Sequence, residues 1–360
     1  MPASAKGLQP VLQVNDLAPD KLPLRIWRAE PAKLVVVIPA LNEEPTIRDV
    51  IRRVPSSFEG VESVEVVVVD DGSSDRTAEI ARSEGAIVVS HPRASGVGAA
   101  FQSGLRKALE RGADVVINID GDGQFSPEDI PKLVGPILAD AADFVTASRF
   151  IDPLREPRMP PLKRWGNRQL SRLVSWLLKS EYHDVSCGMR AYSRKAALSL
   201  NLVEAFTYTH EAFLHLACKR MRVIEVPIDV RGEREHGDSR VAKSLFRYAM
   251  NVLGIIFRFY RDYYPMRFFG TIAMFFLGIG VPLGAFSVFH YVSAGAVAPH
   301  KWAAITSGSA CCCSMIAFLM GLLGDMLRRQ QACLEEILYY TRSLVAAKPP
   351  NLEIDETGSY

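Results

Sequence analysis

The chain has 360 residues, with 42 Lys and Arg against 40 Asp and Glu and a formal net charge of +2. That length accommodates one large α/β domain plus an appendage, and the near-neutral balance gives no reason to expect a nucleic-acid partner. The six cysteines (Cys187, Cys218, Cys311, Cys312, Cys313 and Cys333) have neither metal-ligand spacing nor a paired framework, so they read as reduced thiols.

Residues 1–32 read as an extension without the apolar core of a signal peptide. Short β-branched runs at Leu34–Ile38, Val64–Val69, Ala86–Val89 and Val115–Ile119 predict buried parallel strands, with Phe144–Thr146 a fifth. Helices are predicted over Thr46–Val54, Asp75–Ser83, Val97–Arg111, Pro127–Ile137 and Lys163–Leu178, and a last strand over Val223–Val226. Such alternation predicts an α/β domain over residues 33–232, a mostly parallel sheet with helices on both faces.

Residues 233–266 change character. Eight Lys and Arg stand against four Asp and Glu between Arg231 and Arg267. Lys243, Arg247, Arg258 and Arg261 recur at helical spacing among Leu245, Phe246, Ile255, Ile256 and Phe259. This predicts a basic amphipathic helix over Ser239–Asp262, broken near Gly254, lying in a membrane interface.

Within residues 267–325, Phe268–Tyr291 and Trp302–Gly324 run for 24 and 23 residues without Asp, Glu, Lys or Arg. Both exceed the ~20 residues that a membrane-spanning helix needs. Arg258, Arg261 and Arg267 precede the pair, Arg328 and Arg329 follow it, and only Lys301 lies between. The positive-inside bias then puts both termini and the large domain in the cytoplasm. The Ser, Gly, Ala and Cys content of the second stretch favours close helix packing. In residues 326–360, Leu327–Leu344 reads as a second interfacial helix or a subunit contact.

In open parallel sheets, ligands collect at the carboxyl ends of strands. Here the first strand runs into Pro39-Ala40-Leu41-Asn42-Glu43-Glu44, the second into Asp70-Asp71-Gly72-Ser73 and the fourth into Asp120-Gly121-Asp122-Gly123-Gln124. Asp120 and Asp122, two apart, project to one side of an extended backbone. Hard oxygen ligands of this kind suit Mg²⁺ or Mn²⁺ shared with a diphosphate. A calcium loop would need Gly at Phe125 and Glu at Pro131, and a dinucleotide-binding glycine pattern would need Gly at Phe101 after Gly96 and Gly98, so both fail.

On these residues the chain resembles the family-2 glycosyltransferases, in the polyprenyl-phosphate branch that includes dolichol-phosphate mannose synthase and bacterial undecaprenyl-phosphate glucosyltransferases. The resemblance runs from about Leu34 to Arg342. It implies a GT-A fold in which Pro39, Ala40, Asn42 and Glu43 touch the nucleotide. Asp70 and Asp71 then form the base- and ribose-binding turn, with Gly98, Asp120, Gly121 and Asp122 also on the donor. Asp120, Asp122 and Gln124 surround the metal. In the acceptor half, Ala147-Ser148-Arg149 resembles the segment whose arginine faces the phosphates. Lys163-Arg164-Trp165-Gly166-Asn167-Arg168 resembles the opening of a helix whose basic residue, Arg164 foremost, contacts the lipid phosphate. Asp184-Val185-Ser186-Cys187-Gly188-Met189-Arg190 resembles a loop near the sugar. Arg234-x-x-Gly237-x-Ser239-Arg240 resembles a mobile loop that usually ends in Lys.

The implied reaction moves a hexose from a UDP-glucose or GDP-mannose type donor to undecaprenyl or dolichyl phosphate. Asp122, Arg149, Arg164 and Arg234 are the implied catalytic residues, and a dimer or tetramer the implied assembly. A phosphate monoester has a second pKa near ~6, so the acceptor is already a nucleophile and needs no general base. Direct displacement with inversion is the expectation. Rival readings are a processive polysaccharide synthase, a non-catalytic membrane scaffold, or a transferase acting on diacylglycerol. The first lacks its Gln-x-x-Arg-Trp motif, because Pro161 stands where Gln is required.

Overall fold

A computed structural model describes residues 31–152, 156–157, 159–202, 208–231 and 245–347. The chain divides into two compact units, one ending at Leu245 and resuming at Tyr339, the other Phe246–Leu338.

The first unit runs β1 (Ala32–Ala40), α1 (Ile47–Arg52), β2 (Val61–Asp70), α2 (Thr77–Ser83), β3 (Ile87–Ser90), α3 (Val97–Glu110), β4 (Val115–Asn118) and α4 (Ile130–Leu138). It continues with β5 (Phe144–Ser148), α5 (Pro161–Leu178), β6 (Arg190–Ser193), α6 (Arg194–Ser199), α7 (Thr209–Cys218) and β7 (Val223–Pro227). The strands form one sheet in the order β3-β2-β1-β4-β6-β5-β7. All pairs are parallel except those of β6 with β4 and with β5.

Valine and isoleucine fill β1 because both of its faces are covered. Leu34, Val36 and Ile38 join Val50 and Ile51 of α1 and Ile130 and Leu133 of α4 in one cluster. Val37 points the other way, onto α3. Gly104 of that helix lies so close that a Cβ there would meet Val37 Cγ1 at 2.3 Å. Every expected strand and helix of this unit is present, with ends shifted by a few residues. β6, α6 and α7 were not expected. Arg190-Ala191-Tyr192-Ser193 has neither a β-branched run nor polar alternation, yet it is buried between β4 and β5.

In the second unit, α8 (Leu245–Tyr263) runs through Gly254 without a break, contrary to the expectation from sequence. A lone helical glycine costs only ~1 kcal/mol. Next come α9 (Pro265–Ala294) and α10 (Lys301–Ala347). Both are long and apolar enough to cross a membrane. Their contact is a seam of small residues: Ala273 and Gly280 on α9 face Ala303, Ser307, Ala310, Ser314 and Ala317 on α10, all buried or in close contact. The seven-residue recurrence keeps one face of α10 on its partner. Ser307 and Ser314 each donate across the seam, to Gly280 O and Ala273 O at 2.8 Å. The opposite faces carry exposed Phe275, Phe289, Val292 and Ile305. The separate helix expected over Leu327–Leu344 is the continuation of α10, since no Gly or Pro between Asp325 and Ala347 supplies a stop.

Candidate active site

The strand order contains a switch point. The chain goes from β1 outward to β2 and β3, then returns to β4 on the other side of β1. Crevices form at the carboxyl ends of strands where the order reverses, and Asp120 and Asp122 follow β4 there. Ile119 N–H still donates to Val37 O at 3.1 Å. At Gly121 a Cβ would lie 3.4–3.5 Å from Ile38, Pro39 and Ala40, so the loop is drawn tightly against the end of β1. Thr46 Oγ1 fastens it, donating to Gly121 O at 2.7 Å.

Asp122 is buried, and its Oδ1 accepts the Gln124 N–H at 3.1 Å. The Asp120 carboxylate lies over the Cα of Gly188, with Oδ2 2.7 Å from where a Cβ would stand. Among the described residues no three His, Cys, Asp or Glu converge as a metal cage. Asp120, Asp122 and Gln124 could supply an incomplete oxygen set. Such a set suits a Mg²⁺- or Mn²⁺-sized ion completed by substrate phosphates.

The wall between β1 and β2 is cross-tied. Ala40 O accepts the Asp71 N–H at 2.9 Å, Asn42 N–H donates to Ser73 Oγ at 2.9 Å, and Asn42 Oδ1 accepts the Ser74 N–H at 2.8 Å. Asn42 takes a left-handed backbone, φ 55°, which asparagine tolerates. Pro39 and Ala40 pair in register with Val69 and Asp70. Asp70 Oδ1 closes its own turn by accepting the Ser73 N–H at 3.0 Å. Glu43 N–H donates to Thr77 Oγ1 at 2.9 Å, and Gly98 is buried in the first turn of α3.

Asp71, expected on the donor, also has protein partners. Its Oδ1 accepts from His91 Nδ1 at 2.8 Å and Ser95 N–H at 2.9 Å, and its Oδ2 from Gly96 N–H at 2.9 Å. It ties down the loop entering α3. Gly72 is required beside it, with φ 78° and a Cβ position 2.8 Å from Arg93 C.

Arg149, whose guanidinium the resemblance turns toward the phosphates, has protein partners as well. Nε and Nη2 grip Asp184 at 2.6 and 2.9 Å, and Nη2 reaches Ser186 Oγ at 2.7 Å. Burial opposes ionisation of Asp184, but Arg149 beside it holds the carboxyl below the usual carboxylate range. Glu225 of β7 accepts the N–H groups of His183 and Asp184, and its contact with His183 Nδ1 at 3.0 Å raises the imidazole pKa. The 182–186 loop is therefore fixed by two buried acids. On α5, Arg164 and Arg168 converge on Glu156. Arg234, Gly237, Ser239 and Arg240 lie outside the described residues.

Three contributors were not foreseen: Thr46, Asn118 and Tyr208. Arg190, which ends the loop expected near the sugar, joins them. Asn118 Nδ2 donates to Gly188 O at 3.1 Å and to Tyr208 Oη at 2.6 Å, while its buried Oδ1 has no partner among the described residues. Fully buried Arg190 donates to the carbonyls of Cys187 and Val185 at 2.8 and 2.9 Å and to that of Thr209. Together they build the floor under Asp120. The one visible signal was Asn118, a polar residue inside the apolar run Val115–Ile119.

Comparison with known proteins follows this geometry. The glycosyl transferase family 2 model matches residues 35–200. A UDP-N-acetylglucosamine–dolichyl-phosphate N-acetylglucosaminyltransferase of Methanococcus voltae is 32% identical over 216 residues, covering 54% of this chain and 84% of the relative. A dolichyl-phosphate hexose transferase of Haloferax volcanii is 34% identical over 198 residues, covering 55% of this chain and 82% of the relative. Among solved structures, glucosyl-3-phosphoglycerate synthase of Mycobacterium tuberculosis, in complex with Mn²⁺, UDP-glucose and phosphoglyceric acid, superposes with a TM-score of 0.52. It is 24% identical, and the match covers 70% of this chain and 85% of that one, which establishes a shared GT-A fold.

Proposed function

The chain belongs to glycosyl transferase family 2, and from that membership we propose that it moves a hexose from a UDP-glucose or GDP-mannose type donor to a polyprenyl phosphate, with inversion. The observation that carries the proposal is an acid pair at the β1–β4 switch point in a chain with two helices long enough to span a bilayer. The two relatives named for dolichyl-phosphate substrates support the acceptor class. Charge bias at the ends of α9 and α10 supports a cytoplasmic catalytic unit.

In this reading Asp120 and Asp122, with Gln124, hold a divalent cation, Mg²⁺ or Mn²⁺. The ion would supply Lewis-acid stabilisation of charge on the departing nucleoside diphosphate. The β1–β2 wall around Asn42, Asp70 and Asp71 holds the nucleotide, and Asp71 also sets the α3 loop. The acceptor arrives ionised, so the protein's task is aim rather than proton removal. The exposed face of α5 suits that approach: Leu162, Trp165, Arg168, Arg172, Trp176 and Lys179 lie along it, with Glu156 paired to Arg168. Tryptophan with Arg and Lys is the pattern of helices at lipid headgroups. Arg164 beside this face is the proposed lipid-phosphate contact, and Arg234 the proposed cation of the acceptor loop.

Purified protein offered labelled sugar nucleotides, Mg²⁺ or Mn²⁺ and short-chain polyprenyl phosphate should give one labelled glycolipid, with inverted anomeric configuration and no product after chelation. Transfer that survives chelation would remove the metal from the mechanism, and sugar-nucleotide hydrolysis without lipid product would remove the acceptor. A second expectation concerns Gly188→Ala. The added methyl meets Asp120 Oδ2 at 2.7 Å, and a displacement approaching 1 Å costs up to ~10²-fold in rate. Turnover should fall by about that factor and the half-saturating metal concentration should rise; wild-type values for both would place Asp120 outside the chemistry.

A further inference from the structure

α3, α6 and the last turns of α10 enclose a cleft of about 260 Å³. It lies just under the ~300–1,000 Å³ of whole small-molecule sites, so it has room for a few side chains. Leu105, Leu109, Leu200, Leu202 and Val345 make its apolar wall, and Arg106 and Arg342 line it as well. Arg342 donates to the carbonyls of Leu198 and Leu200, and Arg194 to Ala346 O at 3.1 Å, so the walls are tied together. The lining carboxylate, Glu110, pairs with Lys107 at 3.2 Å. Among the described residues neither Arg106 nor Arg342 has a carboxylate partner. Two like charges thus share one apolar cleft, an arrangement that an acidic occupant relieves.

The sequence supplies such an occupant. α10 ends at Ala347 beside the cleft, and after Pro349-Pro350 come Asn351-Leu352-Glu353-Ile354-Asp355-Glu356, outside the described residues. In an extended chain Leu352 and Ile354 share one side and Glu353 and Asp355 the other. At ~3.3 Å per residue, the stretch from Ala347 to Leu352 spans up to about 17 Å, enough to turn back into the cleft. We infer that Leu352–Glu356 docks there in cis, with Leu352 and Ile354 on the leucine wall and Glu353 and Asp355 at Arg106 and Arg342. The docking fastens the last turns of α10 to α3 and is independent of the proposed reaction.

Hydrogen exchange on the full-length protein in detergent tests it. Amides of residues 352–356 should exchange well below free-chain rates at all protein concentrations. Arg106→Glu should speed them about fivefold, the size of one partly screened charge pair, and adding Glu353→Arg to that variant should restore protection. Arg106 is exposed, so α3 amides should be unaffected, and Leu352→Ser with Ile354→Ser should abolish protection from the other side. Free-chain exchange in the wild type, or protection indifferent to both sets of changes, would overturn the inference. Protection that grows with protein concentration would assign the segment to a second copy and overturn docking in cis.

Discussion

Asp120→Asn should reduce turnover by ~10²–10³-fold, the scale on which removal of one preorganised electrostatic contact is felt at a transition state. The amide keeps the size of the carboxylate, so the contact with Gly188 and the floor built by Asn118, Tyr208 and Arg190 remain. What disappears is one negative charge from a set with two carboxylates among the described residues. The half-saturating concentration of Mg²⁺ or Mn²⁺ should rise, and excess metal should recover part of the rate. Asp122→Asn separates two chemistries. Its amide oxygen still accepts the Gln124 N–H, so the loop keeps its shape. If Asp122 only holds the ion, lost turnover tracks lost metal affinity. A variant with wild-type metal affinity and almost no turnover would mean that Asp122 removes a proton, and the ionised-acceptor mechanism would fail.

The strands that build this site were legible because β1, β4 and the second half of β2 are buried and built mostly of Val, Ile and Leu. The acidic clusters stood out where those runs end. β6 was hidden for the opposite reason. Its burial is secured by Arg190 reaching backbone carbonyls of three other residues, and no periodicity in four residues announces that. Position alone also could not reveal how Asp71 and Arg149 are held. Each lies at the carboxyl end of a strand, where ligands are expected. Each is engaged by partners distant in sequence: Ser95 and Gly96 for Asp71, Asp184 and Ser186 for Arg149. Residue type locates charge near a site, but only the fold decides whether that charge faces the ligand or the protein. The same limit hid the full extent of α10, where a change from apolar to charged residues resembled a helix end although no helix breaker was present.

Arg149→Ala should destabilise the first unit by ~3–5 kcal/mol, the cost of leaving one half of a buried ion pair alone. Asp184 is wholly buried, and Arg149 side-chain exposure is 13%. The grip is bidentate, which Lys cannot reproduce, so Arg149→Lys should recover only part of the loss. For a domain of about this size each kcal/mol shifts Tm by ~2–4 °C, so the alanine variant should melt at least ~6 °C lower. Replacing both residues with apolar side chains should cost less than either single change, since no charge is then stranded. The pH dependence carries a definite sign. Asp184 is depressed below its ordinary value of 3.8, so the pair's contribution is complete above that pH and is lost only as pH falls through the lowered value. Thermal unfolding of wild type, both single variants and the double variant between pH 8 and pH 3 tests each step. An Arg149→Ala protein with wild-type Tm and no turnover would return that guanidinium to the substrate phosphates. A melting loss with the double variant partly recovered identifies Arg149 as the post on which the 182–186 loop, and through it Gly188 beneath Asp120, is hung.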